Sequence, residues 1–147
     1  MPSMPKNPSA INSLFISSFS RTQNSVCADI QGVQLTASPA LAAALLKIRP
    51  NLAHHACKSA GTGNFKDRLV GALLPHVVEH VAIDLLVELT DATQTFAGAT
   101  TWLDRETNTM CVRVGCTSDE PSLYFEATKK ALEQAVHLLN RLLSEVA

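Results

Sequence analysis

At 147 residues, with 46% apolar and 17% charged residues, the chain has the size and composition of one folded domain, not of a disordered or fibrous segment. A formal net charge of -1 without a cluster of Lys or Arg leaves no electrostatic footprint for nucleic acid. The four cysteines form no CxxC pair, which argues against a zinc ribbon or redox motif and for a reduced, cytoplasmic chain.

Residues 1–10 contain three prolines and read as an extended lead-in, and residues 14–20 read as a strand, so residues 1–24 form an N-terminal extension ahead of a single domain at 25–147. The apolar run at 11–19 is broken by Asn12, Ser13, Ser17 and Ser18, too short and polar to span a membrane, and lacks the positive charges of a signal peptide. Residues 25–35, "SVCADIQGVQL", alternate apolar and polar positions as a strand does. Ser38 is placed to cap a helix with Pro39 at its first position, and "ALAAALLKIR" continues it until Pro50. Residues 51–64 combine Gly61 and Gly63 with small polar residues and read as a loop bearing His54, His55 and Cys57.

From Phe65 to about Thr90 the pattern is helical, with Pro75 expected to split it, Leu74 driven to extended geometry and His76 placed in the first turn of the long second piece. "TFAGATTWL" and "TMCVRVGC", joined by "DRETN", predict a β-hairpin, and residues 121–146 predict an amphipathic helix. The sum is an α+β fold with a small antiparallel sheet of three to four strands packed against three main helices. No glycine-rich phosphate loop is present, so no nucleotide is expected.

The chemistry sits in "LLPHVVEHVAIDLL", residues 73–86, where His76, Glu79, His80 and Asp84 recur at spacings of three and four and share one stripe of an otherwise apolar helix. His76-x-x-Glu79-His80 is the HxxEH order, in which two histidines one turn apart can converge on Zn2+ and the glutamate can take a proton from water. Spacing leaves the third ligand open among His55, Cys57, Asp84, Glu88 and Glu106. A plainer reading makes the stripe a hydrogen-bonded polar seam that fixes the helix, Cys57 a small buried hydrophobe, and His137 and Trp102 packing residues.

"HACKSAGTGNFKDRLVGALLPHVVEHVAIDLL" resembles the amino-terminal domain of cyanophycin synthetase. The matching positions are His55 and Cys57, then Gly63, Phe65, Arg68 and Leu69, then His76, Glu79, His80, Val81, Ala82, Asp84 and Leu85, with Arg105, Glu106 and Thr107 resembling a later Arg-Glu-Thr element. The resemblance runs over about residues 50–140. It departs at Asn64, where a second glycine is usual, at Lys58 in place of serine, and at Asp84-Leu85-Leu86 in place of Glu-Leu-Gln.

The resemblance implies a cytoplasmic, oligomeric relative of enzymes that build an Asp–Arg polymer, with polymer contacts at Arg68, Arg105 and Glu106. The chain ends before the ATP-using domains of that family would begin, so a free-standing domain without ligase activity is expected. Two functions follow. The first is a binding or assembly module for a peptide or Asp/Arg-type polymer, associating with itself or a larger cyanophycin-synthetase-like partner. The second is a zinc-dependent peptide or amide hydrolase with His76 and His80 as ligands, Glu79 as base, and His55, Cys57 or Glu106 completing the site. Binding ranks first because spacing fixes no third ligand. The apolar face of the terminal helix suggests a homodimer.

Overall fold

A computed structural model describes residues 13–32, 36–57, 63–90 and 95–146. The lead-in at 1–10, residues 33–35 of the second expected strand, and Lys58 and Gly61 of the loop lie outside the described residues. Among the described residues, four strands and four α-helices build an α+β fold, in agreement with the sequence: β1 (Phe15–Arg21), β2 (Ser25–Gln31), α1 (Pro39–Ile48), α2 (Phe65–Leu69), α3 (Leu74–Leu89), β3 (Phe96–Asp104), β4 (Thr109–Cys116) and α4 (Phe125–Val146).

The strands form one antiparallel sheet in the order β1-β2-β4-β3. Because side chains alternate across a strand, Val26, Ala28 and Ile30 of β2 pair with Val114, Val112 and Met110 of β4, and all six are buried as the floor of the core. Helices α3 and α4 pack on each other; α3 lies over β3 and β4, and α4 over β1 and β2. The expected strand at 14–20 is therefore an integral edge of the sheet. Its approach is held by Asn140 of α4, whose Oδ1 accepts from Leu14 N–H and whose Nδ2 donates to Leu14 O, each at 2.8 Å.

Helix α1 begins as expected, with Ser38 Oγ accepting from Leu41 N–H at 3.1 Å and Pro39 in the first turn. The expected loop after it is not structureless: Pro50–His54 forms a 3-10 turn, and the far ends of the loop are joined by a bridge between Ala56 and Asn64. The break in the long helical pattern falls earlier than expected. Leu73, not Leu74, is the extended cap, and Pro75 sits inside the first turn of α3, where its missing N–H has no intrahelical partner to lose. Gly71, at φ 89°, takes the left-handed conformation that turns the chain between α2 and α3.

At the C-terminal end, Pro121–Tyr124 is a 3-10 turn, and the α-helix starts only at Phe125. Of the apolar residues on the face behind the homodimer expectation, Ala131, Leu132, Ala135, Leu139 and Leu142 are buried within the chain, and Leu138 and Leu143 are half-buried. Among the described residues, no helix is long and apolar enough to cross a membrane.

Candidate metal centre

The polar stripe of α3 is buried except at His76, which is half-buried. Glu79, His80 and Asp84 are only 7%, 4% and 5% exposed, and among the described residues no buried side-chain nitrogen or oxygen lacks a hydrogen-bond partner. Those partners are side chains from other elements. Glu79 Oε1 accepts from Thr100 Oγ1 of β3 at 2.7 Å, and Glu79 Oε2 lies 4.0 Å from His80 Nε2. Burial pushes the Glu79 carboxyl above the usual carboxylate range, against the Thr100 hydrogen bond and the nearby His76. A carboxylate raised in this way is a better proton acceptor.

Helix and sheet approach closely enough for that contact because β3 carries Gly98 opposite Glu79. A Cβ on Gly98 would lie 2.7 Å from Glu79 Cγ and 3.0 Å from Arg113 O, so no larger residue fits without a shift.

His80 is fixed from three sides. The Phe65 ring of α2 stacks on it at 4.0 Å and 20°, the His76 ring stands 5.0 Å away, and His55 Nδ1 lies 3.3 Å from His80 Nδ1. Burial, followed by His76 and His55, lowers the His80 pKa to about 3, so the ring is neutral and keeps one lone pair for a ligand.

Cys57 Sγ lies 3.6 Å from His76 Nε2, and one ligand atom from each of Cys57, His76 and His80 lies within 4.8 Å of the others. A tetrahedral zinc ion with Zn–S near 2.3 Å and Zn–N near 2.0–2.1 Å has an S···N edge of about 3.6 Å. The donor set therefore fits: thiolate and imidazole together suit zinc, and three protein ligands with one open position are the pattern of a catalytic site. His76, Glu79 and His80 line a cleft of about 730 Å³, whose other wall is residues 95–100 at the edge strand β3.

His55 lines the same cleft but stands outside the Cys57/His76/His80 set, and its Nε2 faces Asp84 Oδ1 at 3.5 Å. Asp84 is in turn held by Arg49, from Nε at 2.7 Å and Nη2 at 2.5 Å, and Arg49 Nη2 also reaches Glu88 at 2.9 Å. Burial acts to raise the Asp84 pKa, but hydrogen bonds from His55 and Arg49 and the Arg49 charge outweigh it and hold the carboxyl below its usual range. Asp84 and Glu88 are thus engaged by Arg49.

Arg68 is exposed on α2, and Arg105 and Glu106 are exposed on the β3–β4 turn. None of the three lines the cleft. Arg105 lies over the Trp102 ring at 4.6 Å, and the backbone N–H of Glu106 donates to Asp104 Oδ1 at 2.9 Å. His54 and His137 are exposed.

Sequence reasoning missed Thr100, Gly98 and Arg49. Gly98 carried a signal, because glycine inside a strand marks a close approach. Thr100 and Arg49 carried none, since each depends on which segments the fold brings together.

A histidine-bearing helix laid over a four-stranded antiparallel sheet, with a thiol and two imidazoles close together beside a cleft, makes this a small α+β domain with a candidate metal centre. A model of the cyanophycin synthase-like N-terminal domain matches residues 26–144, and the chain belongs to that family. The match starts inside β2, so β1 precedes it although β1 is hydrogen-bonded into the sheet. No curated protein matches the chain.

Proposed function

We propose that this chain is a zinc-dependent amide hydrolase acting on a peptide or Asp/Arg-type polymer, with Cys57, His76 and His80 holding the ion and Glu79 as the proton acceptor. The observation that carries this reading is the 3.6 Å separation of Cys57 Sγ and His76 Nε2, the edge length a tetrahedral zinc requires, with His80 in the same cluster. It supplies a candidate for the third ligand that spacing left open, and for that reason hydrolysis now ranks ahead of binding. Family membership supports the polymer as substrate class.

When bound, zinc would supply Lewis acidity, polarising a carbonyl and acidifying water. Glu79 does the proton work. Thr100 occupies Oε1, which leaves Oε2 to take a proton from water in the cleft and return it to the departing amine. Phe65 and the apolar floor keep the His80 side of the site dry, which strengthens every charge interaction there. In a reducing compartment Cys57 would stay a thiol able to serve as a ligand.

Glu79→Gln separates chemistry from binding. The variant should keep its zinc and lose turnover of an Asp–Arg polymer by roughly 10²–10⁴-fold, the usual contribution of a positioned acid–base group. Unchanged turnover in Glu79→Gln contradicts the assignment.

A second reading, a binding or assembly module without ligase activity, draws on the cleft wall at residues 95–100. Five of these residues, 96–100, belong to the edge strand β3, along which an extended polymer could lie uncut. Polymer binding by the zinc-loaded protein, without cleavage, would favour it.

A further inference from the structure

His55 and Asp84 hold a position that the zinc set does not use. His55 Nδ1 and His80 Nδ1 face each other at 3.3 Å, so one must carry a proton and the other a lone pair. On its far side His55 Nε2 faces Asp84 Oδ1 at 3.5 Å, and a carboxylate oxygen there calls for an N–H. Asp84 is already anchored by the two contacts from Arg49. His55 is anchored through its backbone, because its carbonyl accepts from Phe65 N–H at 2.7 Å.

We infer that Asp84 and His55 are positioning residues that fix the proton on His80. Asp84 Oδ1 accepts from His55 Nε2–H, His55 Nδ1 accepts from His80 Nδ1–H, and the His80 Nε2 lone pair is left for the metal. The opposite order fails at both ends. A proton on His55 Nδ1 leaves a lone pair on Nε2 against the Asp84 carboxylate. It also makes His80 Nδ1 the acceptor and moves the His80 proton to Nε2, where no lone pair remains.

The inference rests on the zinc reading for its purpose, and corrects His55 from ligand to ligand support. A histidine ligand is commonly oriented by a carboxylate on its other nitrogen. Here the carboxylate acts one imidazole further away, which the sequence conceals because Asp84 and His55 lie on different elements.

The deciding measurement is the imidazole tautomer pattern of metal-free, ¹⁵N-labelled protein at mildly alkaline pH, read by long-range ¹H–¹⁵N correlation. The expected result is His80 protonated on Nδ1 and His55 on Nε2 only. His80 protonated on Nε2, or His55 protonated on both nitrogens, overturns the inference. A companion measurement is zinc affinity by competition with a chromophoric chelator. His55→Ala should weaken zinc binding by about 10–100-fold. His55→Gln should recover most of that loss, because its amide oxygen accepts from His80 and its amide N–H donates to Asp84, while His54→Ala should leave affinity unchanged. Equal losses in the Ala and Gln variants also overturn the inference. The two readings fail separately. The expected tautomers without zinc uptake remove the hydrolase and keep the proton order, whereas zinc uptake with other tautomers does the reverse. The tautomer measurement uses the unmodified chain, so it decides even where a variant does not fold.

Discussion

Glu79 is defined by what surrounds it: a Thr100 hydroxyl on one oxygen, His80 near the other, and Gly98 beneath its Cγ. The smallest change that disturbs this arrangement is Gly98→Ala. The added methyl would meet Glu79 Cγ at 2.7 Å, and Arg113 O at 3.0 Å prevents it from retreating into the strand. Overpacking of this kind costs about 1–3 kcal/mol. Because the displaced group is the proposed proton acceptor, Gly98→Ala should also lose turnover out of proportion to stability. Urea unfolding and steady-state kinetics on the same variant check both, and a variant with full activity would show that Glu79 needs no such seat. At this scale the sequence is half informative. His76, Glu79 and His80 stand out because charged and imidazole groups on an apolar helix need a reason, whereas Thr100 in a β-like stretch looks like any strand threonine.

Helix α3 was legible because its residues carry a helical period between two breakers, and α1 because Ser38-Pro39 and Pro50 mark both ends. Helix α4 was legible in kind but begins four residues late, since Pro121 starts a 3-10 turn as readily as an α-helix. Hidden from local reading is how β1 is held. Asn140 sits in the middle of α4, where asparagine has little intrinsic preference, and its amide makes paired hydrogen bonds to both backbone groups of Leu14, 126 residues away in sequence. Asn140→Ala leaves those two half-buried groups without their partner and should cost about 1–3 kcal/mol. Hydrogen exchange should then speed up selectively in β1, measured against β4, while unchanged protection of β1 would show that its pairing with β2 suffices.

Over the whole molecule, the centre is assembled from three distant segments: the turn after α1 that carries His55 and Cys57, helix α3, and strand β3. Only tertiary packing decides which of these meet, and so HxxEH spacing could point to two candidate ligands and a candidate base but had to leave the third ligand open. The fold brings Cys57 together with His76 and His80, the set proposed to hold zinc, and places His55 Nε2 3.5 Å from Asp84 Oδ1. Family membership, by contrast, was readable from four short elements in a fixed order, a pattern that survives the departures at Lys58, Asn64 and Leu86.

The most direct test is the metal content of the reduced, untagged protein by elemental analysis, beside Cys57→Ser and His76→Ala. The account predicts close to one zinc per chain, lost or greatly reduced in both variants. A chain that takes up no zinc when zinc is added, or that keeps its zinc in both variants, contradicts it.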